Sequence, residues 1–144
     1  MSDVEFHFAS AADAPTLAQM NAELIRDEGH RNSMTIPELE QRMRGWLDGE
    51  YRAVVFEDDG QSLGYALYRE DSDHFYLRQL FVSESRRRQG IASAALDWLR
   101  ANAWAGVPRV RVEVLVGNAA GLEFWHSVGF EDYCLTLEME SSGS

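Results

Sequence analysis

The segment Val82-Ser83-Glu84-Ser85-Arg86-Arg87-Arg88-Gln89-Gly90-Ile91-Ala92 concentrates more chemistry than any other stretch of this chain. It joins a strand-like run that ends at Val82 to a helix-like run from Ile91 to Asn102. At a helix start the first backbone N–H groups have no intrahelical partner, and the helix dipole adds partial positive charge. The turn can therefore cradle an anion such as a pyrophosphate. Gly90 carries no Cβ to block a ligand, Ala92 keeps the next turn thin, and Arg86, Arg87 and Arg88 add positive charge. No Lys-Ser/Thr pair follows the glycine, so this is not the nucleotide P-loop. A second polar concentration, Glu28-Gly29-His30-Arg31-Asn32-Ser33-Met34, brings Glu28, His30 and Asn32 into one loop. A carboxylate beside an imidazole binds an ammonium group or takes its proton, because histidine titrates near neutrality. The same composition also suits a solvated turn. No second ligand pair stands at a metal-binding spacing, so no metal site is expected.

The elements around these segments follow from periodicity. Val4, Phe6 and Phe8 alternate with polar residues as in a half-buried strand. Asp13 and Pro15 mark a helix start, and Leu17, Met20, Leu24 and Ile25 carry it to about Asp27, with Gly29 as its stop. Pro37 opens a second amphipathic helix that ends near Gly49. Tyr51 to Glu57 and Ser62 to Arg69 read as strands joined by Asp58-Asp59-Gly60-Gln61, a strong hairpin cue, and Phe75 to Val82 follows as a third antiparallel strand. After Pro108, Val110, Val112 and Val114 alternate as a further strand. Asn118 to Val128 is helical, Gly129 stops it, and Phe130 to Met139 reads as the last strand. The expected order is β-α-α-β-β-β-α-β-α-β, an α/β fold with a mixed, mostly antiparallel sheet. Residues 1–140 should form one domain, with Ser141 to Ser144 as an unstructured tail.

Composition removes several classes of function. With 144 residues, 45% of them hydrophobic, the chain suits one globular domain. A lone cysteine, Cys134, allows no internal disulfide; it reads as a small buried apolar residue in a soluble cytoplasmic protein. No apolar run reaches membrane-spanning length. The net charge of −11 argues against a nucleic-acid surface, although six arginines face one aspartate between Arg86 and Arg111. All 13 basic residues are arginines. A positive island in an acidic molecule fits an anionic cofactor at the island and a cationic substrate elsewhere, while the acidic surface also serves solubility.

Arg87-Arg88-Gln89-Gly90-Ile91-Ala92 resembles the acyl-CoA signature of the GNAT superfamily of N-acetyltransferases: Arg or Gln, two variable residues, Gly, one variable residue, then Gly or Ala. Glu113-Val114, then Asn118-Ala119-Ala120, Phe124-Trp125 and Gly129-Phe130 resemble that family's next strand, helix and closing turn, in order and at the usual spacing. The resemblance spans Phe75 to Glu138; before that it rests on element order. It implies acetyl-CoA as cosubstrate, a primary amine of a small molecule or peptide as acceptor, and a cleft where two parallel strands splay. The backbone of Leu80, Phe81 and Val82 would line this cleft, and the turn from Arg87 through Arg88, Gln89, Gly90 and Ile91 to Ala92 would hold the pyrophosphate. It further implies Glu113 as general base, Asn118 as a pantetheine contact, and the loop with Glu28, His30 and Asn32 as the lining of the acceptor site.

One position departs from the family pattern. Trp125 stands where a tyrosine usually acts as general acid, and an indole N–H does not titrate usefully. Tyr133 and His126 are the nearby substitutes. More ordinary roles exist for each: Glu113 as a solvated strand residue, Asn118 as a helix N-cap, Tyr133 as strand packing. The missing tyrosine also suggests a rival, a non-catalytic acyl-CoA-binding sensor. No nucleic-acid or membrane partner is expected, and the aromatic content leaves room for a homodimer face.

Overall fold

The computed structural model describes residues 4–29, 31–106 and 108–141. His30 and Ser142 to Ser144, named above, lie outside them. By their contacts the residues divide into two units, Met1–Glu113 and Val114–Ser144.

The first unit is a five-stranded sheet in the order β1-β2-β3-β4-β5. Its strands are β1 (Glu5–Phe8), β2 (Tyr51–Asp58), β3 (Gln61–Glu70), β4 (Phe75–Val82) and β5 (Val110–Val112), with α1 (Ala14–Glu28), α2 (Ile36–Asp48) and α3 (Ile91–Asn102). The first four strands pair antiparallel, and β5 joins β4 in parallel. Asp59 and Gly60 both adopt positive φ, 54° and 79°, which is the twist a two-residue hairpin needs between β2 and β3. Thr35 caps α2 by accepting from the Glu38 N–H, and Glu38 returns a bond to the Thr35 N–H. The predicted cap Asp13 works differently: its carboxylate accepts from Ser10 N–H at 2.8 Å and ties down the short turn before α1.

Each sheet face carries a helical layer. Leu17, Met20 and Leu24 of α1 and Met43 of α2 cluster with Tyr51, Ala53, Val55, Tyr65, Leu67 and Phe81. On the opposite face Tyr68 and Phe75 pack their rings against Trp104, just past α3, whose Leu96 and Leu99 are buried. Burying these apolar side chains against one another is what makes a two-sided layer stable.

Within β4 the pairing passes from Leu67↔Gln79 to Tyr68↔Leu77, which leaves Arg78 unmatched. This bulge resets the alternation, so Tyr76 and Arg78 join Gln79 and Phe81 in facing α1 and α2. Further along, where Gly64 pairs with Val82, glycine is obligatory: a Cβ there would lie 2.1 Å from the Phe81 carbonyl oxygen.

The second unit holds α4 (Ala119–Ser127). Three expectations fail from Val112 onward. The strand predicted through Val114 stops at Val112. Phe130 to Met139 forms no strand, and Tyr133, Leu135, Leu137 and Met139 are exposed. Alternation identifies residues suited to a ladder, but a ladder needs a neighbouring strand, and this unit contains none among its described residues. Cys134, expected to be buried, lies on the same segment and is exposed. Among the described residues no helix is long and apolar enough to cross a membrane.

Candidate active site

The turn before α3 is built on two left-handed residues. Arg88 has φ 63° and Gly90 φ 76°, and such alternation turns successive N–H groups toward one concavity suited to an anion. Gly90 is the N-cap of α3 and offers no side-chain cap, so the opening N–H groups of the helix are left for a ligand. A Cβ at Gly90 would meet no protein atom within 4 Å, so among the described residues it is the backbone angle that calls for glycine.

The three arginines have distinct tasks. Arg86 bonds Asp58 at 3.0 Å and donates to Gln89 Oε1, which ties the turn to the end of β2. Arg87 pairs with Asp27 at the end of α1 and donates from Nε to the Val82 carbonyl at 2.9 Å. Arg88 has no carboxylate partner among the described residues, so its charge is the least committed of the three. Ile91 is buried and anchors the helix start; Ala92 is half-buried.

Among the described residues, the second half of β4 has no partner strand on its β5 side. Parallel pairing with β5 runs from Phe75↔Val110 to Leu77↔Val112 and goes no further. Ser83 N–H donates to the Leu63 carbonyl, and the Phe81 carbonyl faces Gly64, so the amides of Leu80 and Val82 turn toward the edge away from β3. An edge of this kind calls for a partner.

Glu113 follows β5 directly and is exposed. The Tyr76 hydroxyl donates to its Oε1 at 2.5 Å. Burial, and then the Glu113 carboxylate, push the Tyr76 phenol well above its ordinary pKa, because a phenolate beside a carboxylate in a half-buried place is unfavourable. From Tyr76 a belt of aromatic and cationic groups crosses the α1/α2 side of the sheet. Arg69 lies over the Tyr76 ring, pairs with Asp71 at 2.8 Å and donates to the Tyr51 hydroxyl. Arg78 donates to the same hydroxyl and lies over Trp46, as does Arg42. Arg42 donates to Asn21 Oδ1, and the Tyr65 hydroxyl donates to Gln79 Oε1 at 2.8 Å. Tyr65 is buried, which raises its pKa far above the usual phenol value. Sequence reading missed this belt because its members come from four separate elements; the one local hint was Tyr76 and Arg78 at strand spacing.

The remaining predicted residues scatter. Glu28 is half-buried at the end of α1, where its charge reaches Tyr65. Asn32 Oδ1 accepts from Met34 N–H at 2.8 Å, a local turn bond. Within the second unit Asn118 caps α4 by accepting from Gly121 N–H at 3.0 Å, Trp125 packs on Phe124 and Phe130, and His126 meets Asp132 at 2.7 Å. Tyr133 is 75% exposed. Among the described residues no group of three His, Cys, Asp or Glu is placed to hold a metal.

Comparison with known proteins agrees with this architecture. The model described as the acetyltransferase (GNAT) family matches residues 17–130. No curated protein matches the sequence. Among solved structures, a possible acetyltransferase from Clostridium difficile 630 superposes with a TM-score of 0.81 at 16% identity, over 96% of this chain and 97% of that one. A predicted acetyltransferase from Clostridium acetobutylicum, solved with acetyl-CoA, gives 0.77 at 17% identity over 96% of each chain. The aminoglycoside N-acetyltransferase AAC(6')-Iy in complex with CoA gives 0.77 at 15% identity, over 99% of this chain and 97% of that one.

Proposed function

The chain belongs to the acetyltransferase (GNAT) family, and on that premise we propose that it transfers the acetyl group of acetyl-CoA to a primary amine of a small molecule or peptide. The residues fit the cosubstrate. The left-handed turn at Arg88 and Gly90, with Gln89 between them and the uncapped start of α3 at Ile91 and Ala92, suits a pyrophosphate; Arg88 adds the least committed charge, and Arg87, paired with Asp27, holds the turn to α1. The free edge at Leu80, Phe81 and Val82 suits the amide-bearing pantetheine arm. When bound, acetyl-CoA supplies an activated acyl thioester.

Everything else falls to the protein. An amine is protonated near neutrality and must lose a proton before its lone pair attacks; Glu113 accepts that proton, directly or through water. The Tyr76 phenol holds one carboxylate oxygen and orients the other. N–H groups on the β4 edge stabilise the oxyanion that develops on the carbonyl. Asn118 of the second unit has its Oδ1 engaged at its own cap. A thiolate leaves acceptably by itself, so its protonation is the least demanding step. Glu28 and Asn32, at the end of α1 and in the segment after it, are assigned to the acceptor side.

One observation carries this reading: Glu113 is held by Tyr76 at the point where the β4–β5 pairing ends. Glu113→Gln should lower kcat by roughly 100-fold or more while CoA affinity stays within about twofold. Full activity of that variant at every pH would remove Glu113 from the mechanism. The relatives named for aminoglycosides share the fold at 15% identity, which does not carry their acceptor across. Trp125 favours a second reading, an acyl-CoA sensor without turnover. Amine-dependent release of CoA excludes it.

A further inference from the structure

The belt beside Tyr76 contains two arginines in an unusual condition. The Arg42 guanidinium carbon lies 4.4 Å from the centroid of the Trp46 ring, and that of Arg78 lies 4.9 Å from the same centroid. Two cations thus share one aromatic ring. Arg69, on the neighbouring strand and bonded to the same Tyr51 hydroxyl as Arg78, is matched by Asp71. Arg42 and Arg78 have no carboxylate within 4 Å among the described residues: Arg42 donates to the neutral Asn21 and Arg78 to the neutral Tyr51 hydroxyl. The Arg42 Nε is buried without any hydrogen-bond partner. Burial, and then the Arg78 charge, lower the Arg42 pKa, as expected of adjacent like charges. The carboxylates around the belt are engaged elsewhere: Asp71 by Arg69 and Glu113 by Tyr76, while the charge of Glu28 reaches Tyr65.

We infer that Arg42 and Arg78, stacked on Trp46, bind a carboxylate carried by the amine acceptor, so that the acceptor is an amino acid rather than a simple amine or a polycation. This rests on the acetyltransferase reading of the same site. Arginine is suited to the task because its planar donors match a carboxylate while the guanidinium face stacks on Trp46. The spacing sets the acceptor's shape. Arg78 stands two residues from Tyr76 on one face of β4, roughly 7 Å along the strand, and Tyr76 reaches Glu113. An amine delivered to Glu113 with its carboxylate at Arg78 is therefore separated from it by several bonds, as in 5-aminopentanoate. The cationic acceptor expected from overall charge becomes a zwitterion: its ammonium end meets the acidic side and its carboxylate meets the paired arginines.

Calorimetry on the full chain saturated with CoA tests this with two probes, 5-aminopentanoate and pentylamine. The amino acid should bind roughly 10- to 100-fold more tightly than the amine. Arg78→Gln, at an exposed position, should abolish that difference, and Arg42→Gln should reduce it, with CoA affinity unchanged in both. Equal affinity of the two probes, or a preference that survives Arg78→Gln, overturns the inference while leaving acetyl transfer intact. Failure of the wild-type chain to bind CoA at all instead overturns the acetyltransferase reading.

Discussion

Tyr76 and Glu113 meet across the parallel β4–β5 pair through a 2.5 Å hydrogen bond from the phenol to Oε1. They are 37 positions apart in the chain, and the register Tyr76↔Arg111, Leu77↔Val112 carries the end of β5 alongside Tyr76. The bond gives an exposed carboxylate a fixed direction.

Removing the phenol should therefore damage orientation more than binding. Tyr76→Phe is expected to lower kcat by about tenfold, with KM for acetyl-CoA nearly unchanged. Steady-state kinetics separate the two parameters, and a selective rise in KM would show that Tyr76 serves cosubstrate binding instead.

Two glycines should fail for different reasons. Gly90→Ala places a Cβ on a residue at φ 76° with open space around it. The expected cost is about 1 kcal/mol of stability, together with weaker CoA binding. Gly64→Ala forces a Cβ to 2.1 Å from the Phe81 carbonyl oxygen, and about 2 kcal/mol or more of stability should be lost as β3 and β4 part. Urea denaturation of both variants, with CoA titrations on the folded protein, distinguishes strain at the turn from strain in the sheet.

His7 gives a pH-dependent contribution of known sign. Its hydrogen bond to Glu57 at 2.7 Å raises its pKa above the ordinary 6.5. The stabilisation is fully present below pH 6.5 and fades as pH rises through the raised value. An NMR titration of His7 should show the upward shift, and Glu57→Gln should remove both the shift and that part of the pH dependence.

At alkaline pH the tyrosines act in the opposite range. Tyr65, Tyr68 and Tyr76 all hold their protons beyond the ordinary phenol value of 10.0, chiefly because burial disfavours the phenolate. Unfolding above about pH 10 then releases protons, so stability should fall as pH climbs through that region. Absorbance of phenolate during an alkaline titration should rise together with loss of structure rather than ahead of it.

Local chemistry made much of the architecture legible before any coordinates. The Asp59-Gly60 hairpin, the boundaries of α1 and α2 and the turn into α3 rest on residues whose backbone preferences act within a few positions. The backbone of the turn around Gly90 could be read for the same reason, since a helix start and a glycine fix it locally. Charge counting was a weaker guide: Arg86 and Arg87 looked like free ligands for phosphate, yet Asp58 and Asp27 engage them.

What escaped the sequence depends on pairing between distant segments. Phe130 to Met139 has the alternation of a strand, but alternation states a preference, and hydrogen bonds to a neighbour are needed to realise it. The β4 bulge at Arg78 is likewise invisible locally, although it alone brings Tyr76 and Arg78 onto the face of Trp46 and Tyr51. Sequence by itself determined the helix starts and the tight turns, because those are settled by short-range sterics and unpaired backbone donors. Only tertiary structure decided which arginines are matched by a carboxylate and which are not, because charge pairing depends on distance in space, and here that distance is set by strand register.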